Sequence, residues 1–331
     1  MGCATADRSV RRSARHRRRG GARNCGQCSG AGGVSEFDLQ FTLLLVTSGL
    51  MIGMMYALIA LGFVLVYKAT DAINFAQGEF VMLAGLMAAV SIDTSLPFIV
   101  AVLIAIAGMI AFCFGLERVV LRQLLGRPII AVVMATIGLA ALIRGASTLS
   151  FGPGVRALPL PVSDDPLFLG PIMLPPVQMV GAGVSLVFLL GFTWFFLKTR
   201  MGVAMQAVAS NQTVAMGMGI NVQRYFALAW ALTGIVSALG GVIWGAMLGV
   251  DNQLPLVGLK VFPVVILGGL DSVIGAVVGG LIIGVVEALA AGYFDPLVGG
   301  GTKDFVPYLL MIIVLMVRPY GLFGKRKIQR I

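Results

Sequence analysis

Few side chains in this sequence are equipped for chemistry. His16 is the only histidine, and it lies in an Arg-rich stretch at the start of the chain. General acid–base work would therefore fall to carboxylates set between apolar runs. Cys25 and Cys28 have the spacing of half a zinc site, yet no second pair follows. There is no Walker-type phosphate loop, no Gly-x-Ser-x-Gly elbow and no His/Cys/carboxylate cluster. No metal and no cofactor is expected on this chain, and any energy source lies in other subunits or in an ion gradient.

The informative polar residues stand at membrane depth. The run Lys68-Ala-Thr-Asp-Ala-Ile-Asn-Phe-Ala-Gln-Gly-Glu79 places Lys68, Asp71, Asn74, Gln77 and Glu79 between two apolar stretches. Two readings stand: a broken helix whose Asn74, Gln77 and Glu79 line a path or gate, or a polar loop followed by a helix cap. Glu287 follows Gly284 by three residues and Gly280 by seven, which puts it on the glycine face of its helix, towards protein. A structural pairing there, with Arg144 as the candidate partner, is favoured over direct contact with cargo. The pairs Gly49/Gly53, Gly241/Gly245, Gly275/Gly279 and Gly280/Gly284 read as helix-packing faces.

The elements carrying these residues follow from composition. The 331 residues are 58% hydrophobic and 11% charged, with a mean hydropathy of +0.97, far from the balance of a water-soluble domain. The apolar residues come in runs near the roughly 20 residues that span a bilayer as helix. Nine segments are expected: 41–67, 74–92, 96–116, 129–149, 177–197, 225–250, 257–270, 272–293 and 305–323. The fold class is thus an all-α polytopic bundle, with about 8–10 membrane segments. The seventh and eighth segments, joined by Gly268-Gly269-Leu270-Asp271-Ser272, are expected to form a tight hairpin or a broken helix.

Of the net charge of +10, residues 1–30 contribute +7 through eight Arg and one Asp. The membrane body is nearly neutral and nowhere interleaves basic with aromatic residues, so no nucleic-acid partner is expected. Residues 1–33 read as a disordered tail, 34–324 as the membrane domain and 325–331 as a basic cytoplasmic terminus. Short loops rich in Lys and Arg mark the cytoplasmic side: Arg118, Arg122 and Arg127; Lys198, Arg200 and Arg224; and Arg318 with the residues after it. The acidic, Pro-rich stretch 152–176, with Asp164 and Asp165, and the stretch 251–260, with Asp251 and Lys260, then fall outside. Counting back through three crossings puts the Arg-rich tail outside, where it does not belong. Either 72–92 re-enters without crossing, or the tail is absent from the mature protein through a later start, for instance at Val34; the second is favoured.

Between the fifth and sixth segments, the stretch from Arg200 to Val222 is long enough for two short helices, with Asn211 able to cap the run 212–218. A long, small-residue-rich loop of this kind suits docking of a soluble partner.

Several motifs resemble one family. Gly53-Met-Met-Tyr-Ala-Leu-Ile-Ala-Leu-Gly-Phe63, Ile73-Asn-Phe-Ala-Gln-Gly-Glu79, Met201-Gly through Met218-Gly-Ile-Asn-Val222, Gly258-Leu-Lys-Val-Phe262, Ile266-Leu-Gly-Gly-Leu-Asp-Ser-Val-Ile-Gly-Ala276 and Arg318-Pro-Tyr-Gly-Leu-Phe-Gly324 occur in the order found in branched-chain amino acid ABC transporter permeases, the LivH-like group of high-affinity leucine/isoleucine/valine importers. The resemblance covers 44–324. It implies a permease without its own ATPase site, paired with a second permease in a bacterial cytoplasmic (inner) membrane. It also implies two cytoplasmic ATPases that use the ATP and an extracytoplasmic substrate-binding protein. The loop holding Ala207, Ala209, Asn211, Ala215, Gly217, Gly219 and Ile220 would be the element that couples to the ATPase. Gln77 stands where relatives commonly carry histidine, and the Arg-rich tail has no counterpart in them. The alternatives are a permease of the same group for urea, amides or another small solute and, from another class, an ion-coupled secondary transporter motivated by Glu79 and Glu287.

Overall fold

The computed structural model describes residues 33–124, 127–162, 165, 167–169 and 172–324. The tail with its cysteine pair, Asp164 and the basic terminus 325–331 lie outside the described residues. The chain divides at Leu39. The described residues of the first unit are the opening turns of α1, and the second, from Gln40 on, holds the helical bundle.

With no water in a bilayer core, every backbone polar group must be satisfied within the protein, and the apolar runs do this as helices. They are α1 (Gly33–Thr70), α2 (Gln77–Asp93) and α3 (Phe98–Leu116), the last extended by a π turn (Glu117–Leu121) and α4 (Arg122–Leu124). Then come α5 (Ile129–Phe151), α6 (Pro176–Lys198), the short α7 (Arg200–Ser210) and α8 (Gln212–Gly217), and α9 (Val222–Leu248). The chain closes with α10 (Pro255–Gly268), α11 (Val273–Tyr293), α12 (Asp295–Val298) and α13 (Thr302–Val317). All nine expected segments hold a helix. Among the described residues, six helices are long and apolar enough to cross a membrane, whereas α10 is a shorter apolar helix. One departure from all-α structure is a small antiparallel hairpin, β1 (Leu167–Leu169) with β2 (Ile172–Leu174), in the Pro-rich connection before α6.

The core is centred on α1, whose residues from Met55 to Leu61 are almost wholly buried. Close approach depends on missing side chains: a Cβ on Gly53 would lie 2.6 Å from the Gly280 carbonyl oxygen, and one on Gly49 would lie 2.7 Å from that of Gly284. α1 and α11 therefore run antiparallel, backbone against backbone. α2 packs on α3, α9 and α10, and α9 also packs on α3.

α10 and α11 form the hairpin anticipated from sequence, closed by Gly269 at φ 102° and by Ser272, whose hydroxyl accepts from Gly275 N at 2.9 Å. The segment after α13 folds back on this turn, with Leu322 N donating to Leu267 O at 2.8 Å and Phe323 N to Gly268 O at 3.1 Å.

The basic loops share one end. Lys68, Gln206, Asp271 and Phe323 line one cleft there. Gly234 of α9 meets the Met109 backbone of α3, and the π turn beyond α3 reaches α9, bringing Arg118 and Arg122 to this basic end. The far end holds Asp93, which pairs with Arg156 at 2.6 Å, and Arg156 is backbone-paired with Val250. The stretch 72–92 thus ends opposite Lys68 and crosses the bundle, which removes the re-entrant reading.

Candidate functional site

The sequence cluster 68–79 is a break between two helices. α1 stops at Thr70, Asp71 takes a left-handed conformation (φ 54°), and α2 resumes at Gln77. Asn74 and Gln77 are wholly buried and Glu79 is 5% exposed, so the polar side chains face protein. Asn74 Oδ1 accepts from Ala76 N at 3.0 Å, and Gln77 Nε2 donates to Ser237 Oγ at 3.0 Å. Among the described residues, Asn74 Nδ2 and Gln77 Oε1 have no hydrogen-bond partner, a costly state for buried polar atoms. Gly62 of α1 leaves the space that the Gln77 amide fills, and Gly78 touches Pro255 and Gly258 at the start of α10. The openings of α2 and α10 thus meet beside the break.

Glu79 is bound to Arg144 of α5, Oε1 to Nη2 at 2.6 Å. This corrects the expected pairing of Arg144 with Glu287. Helical spacing gives the face a side chain occupies but not which neighbouring helix lies there, and α5 packs against α2.

Glu287 belongs to a second cluster. Lys260 Nζ lies 3.7 Å from Glu287 Oε1 and 2.6 Å from Asp304 Oδ1, and Tyr56 OH donates to Glu287 Oε1 at 3.3 Å. The Tyr56 ring stacks on Trp244 with centroids 5.1 Å apart. Trp244 Nε1 and Glu287 Oε2 are buried and have no partner among the described residues. The cluster ties α1, α9, α10, α11 and α13 around one buried carboxylate. The two expected ranges that shared Lys260, the segment 257–270 and the outer stretch 251–260, are also resolved: α10 begins at Pro255, so Lys260 belongs to the helix and not to the outer stretch. Pro255 at the first helical position was the available signal. Asp304, Tyr56 and Trp244 carry no comparable mark.

At the basic end, Thr199 accepts from Gly202 N to cap α7, and Asn211 accepts from Val214 N at 3.0 Å to cap α8. Ala215 is buried, and Ala207, Ala209 and Ile220 are half-buried. Asn211, Gly217 and Gly219 are exposed, as are the apolar side chains of Val214, Met216 and Met218. Gln212 Nε2 donates to Ala69 O at 3.3 Å, and Lys68 Nζ lies 4.6 Å from the centre of the Phe196 ring. The two short helices are thus joined to the last turn of α1, directly ahead of the polar break.

The other glycines expected on packing faces are closely approached. Gly241 faces the backbone of Val81 and Gly85, Gly245 faces Val250, Gly275 faces Gly268, and Gly279 faces Val264. Among the described residues no group of three or more His, Cys, Asp or Glu could hold a metal ion.

The family described as "Branched-chain amino acid transport system / permease component" matches residues 45–315. The high-affinity branched-chain amino acid transport system permease protein BraD of Pseudomonas aeruginosa is 30% identical over 301 residues, 86% of this chain and 97% of that protein. The corresponding protein LivH of Salmonella typhimurium is 32% identical over 320 residues, 90% of this chain and all of that one. Among solved structures, a chain of PsaBC from Streptococcus pneumoniae in complex with Fab aligns with a TM-score of 0.46 at 15% identity, covering 87% of this chain and 97% of that one. The motifs in their order, the helical body and the match over most of its length lead to one assignment: this chain is a multi-pass membrane protein of the branched-chain amino acid transport system permease family.

Proposed function

We propose that this chain is the translocating subunit of an ATP-driven importer of branched-chain amino acids, in a bacterial cytoplasmic membrane. It works beside a second permease subunit and two cytoplasmic ATPases, which hydrolyse the ATP, and receives cargo from an extracytoplasmic binding protein. The family assignment and the names of its relatives support the cargo. The observation that carries the mechanism is the hydrogen bond from Gln212 to the Ala69 carbonyl, because it joins the exposed α7–α8 element to the break at Asn74 and Gln77.

A partner that grips α8 through Val214, Met216 and Met218 moves the end of α1. The break, with its unpaired Asn74 Nδ2 and Gln77 Oε1, is the element with alternative partners to take up. Alternating access then requires only that the partner bind the two arrangements with different affinity.

The test is uptake by proteoliposomes holding this chain with its partner ATPase, permease and binding-protein subunits. ATP-dependent accumulation of labelled leucine, suppressed by excess isoleucine or valine and not by urea, is the expected result. Accumulation that ignores ATP and collapses with an ionophore would replace this reading with an ion-coupled carrier. Competition by urea alone would move the cargo to small amides.

A further inference from the structure

α5 is the least enclosed of the six long helices, buried over 17% of its apolar stretch against 72% for α9. It packs on the bundle mainly through α2, and its outward residues Met134 and Leu142 are 61% and 65% exposed. Gly138 and Gly145 have no atom within 4 Å of where a Cβ would stand. Composition alone makes this a face for lipid. Arg144 contradicts it.

The Arg144 side chain is 47% exposed and its partner Glu79 only 6%. The pair is not drawn out towards the far surface. Glu79 lies in the first turn of α2 and Asp93 ends that helix; fourteen residues separate them, about 21 Å of helix rise. A guanidinium at such depth meets protein or water and not hydrocarbon. Glu79 accepts from one Nη2–H, and the described residues offer no acceptor to the other four N–H donors of the fork. The negative partner is buried and the positive one is outermost, so this face shows a positive potential.

We propose that the outer face of α5 is a wall of the water-filled translocation path, facing a second permease chain across it, and that Arg144 offers its free guanidinium donors to the carboxylate of the amino acid in transit. A guanidinium with free donors on the border of such a space suits an anionic group within it. A planar fork also matches a carboxylate in geometry. The wet wall stands on α5 alone, whereas the carboxylate rests on the cargo proposed above.

The test uses the complete transporter in membrane vesicles, with Cys3, Cys25 and Cys28 replaced by serine and one cysteine introduced at a time. Gly138→Cys and Ala141→Cys report on α5. Val187→Cys, on the 73% exposed position of α6, reports on lipid. The probes are the anionic sulfonatoethyl and the cationic trimethylammonioethyl methanethiosulfonates.

The α5 cysteines are expected to react at least about tenfold faster than Val187→Cys, and faster with the anionic probe. Arg144→Gln should erase that preference and Arg144→Lys should keep it. Leucine should protect Ala141→Cys where leucinamide, which lacks the carboxylate, does not, and this protection should vanish in Arg144→Gln. Arg144→Lys, which retains a cation for Glu79, should raise KM for uptake more than it lowers the maximal rate. Reaction as slow as at Val187→Cys would overturn the wall. Fast reaction with unchanged charge preference and unchanged leucine protection in Arg144→Gln would overturn the role of Arg144. A wild-type complex that moves no leucine but shows fast, anion-selective labelling would strike the proposed cargo, and with it the carboxylate contact.

Discussion

Lys260 and Glu287 sit on adjacent helices of one hairpin with Nζ 3.7 Å from Oε1, and Lys260 is the cation among the described residues that pairs with this carboxylate. Removing one partner of a buried pair costs far more than the pair contributes. Lys260→Met is therefore expected to destabilise the detergent-solubilised protein by roughly 3 kcal/mol, with Lys260→Met/Glu287→Gln recovering much of the loss. Thermal unfolding followed by tryptophan fluorescence checks this, since Trp244 stacks on Tyr56 in the same cluster. A single variant as stable as wild type would exclude a structural role for the pair.

At the crossing of α1 and α11, a side chain on Gly53 meets the Gly280 backbone, and a main chain cannot swing aside as a flexible side chain does. Gly53→Val is expected to cost about 1–3 kcal/mol and to lower the unfolding temperature. Gly138→Val, at an open position of α5, should leave that temperature unchanged. Equal effects at the two sites would refute the assigned crossing.

In the α7–α8 element, Ala215 is buried whereas Gly217 has open space around it. Gly217→Glu is the cleaner probe, because it adds charge to the exposed surface without disturbing the local fold. It should abolish ATP-dependent uptake while the protein still inserts and unfolds at the wild-type temperature. Normal uptake by this variant would count against α8 as the coupling helix.

The turn between α11 and α13 titrates in a defined direction. Hydrogen bonds from the Thr302 hydroxyl and from its backbone N–H hold the Asp295 carboxyl below the usual carboxylate range. Because the folded value is the lower one, this contact contributes stability above the unfolded value of about 3.9 and loses it as pH falls through the folded value. Protection of the Thr302 amide, its hydrogen-exchange rate taken relative to the intrinsic rate at each pH, should be steady from neutral to weakly acidic pH and fall only in stronger acid. In Asp295→Asn that acid step should be missing.

Length and hydropathy were enough to place every long helix, because a bilayer leaves a spanning chain little other choice. Turn chemistry was also legible: Asn211 and Ser272 are polar residues whose side chains cap the helices that come after them. Partner choice was not. Arg144 and Glu287 are each visible as charges in apolar runs, yet which helix meets which depends on packing between distant parts of the chain, and Arg144 met Glu79. Lys260 was hidden for another reason. It fell in both the expected segment 257–270 and the outer stretch 251–260, and only the helix start at Pro255 decides between them. The pairing of Tyr56 with Trp244 had no sequence signal, because aromatic residues are common in any apolar helix.

The last turn of α10 is completed by a part of the chain that arrives two membrane helices later. Leu322 and Phe323 supply the donors that the carbonyls of Leu267 and Gly268 would otherwise lack. A polypeptide shortened to Tyr320 would keep all its hydrophobic spans and still leave that hairpin unhemmed. A bulky fusion tethered tightly at the C-terminus would tug on the same stitch, so purification handles belong on a long, slack linker.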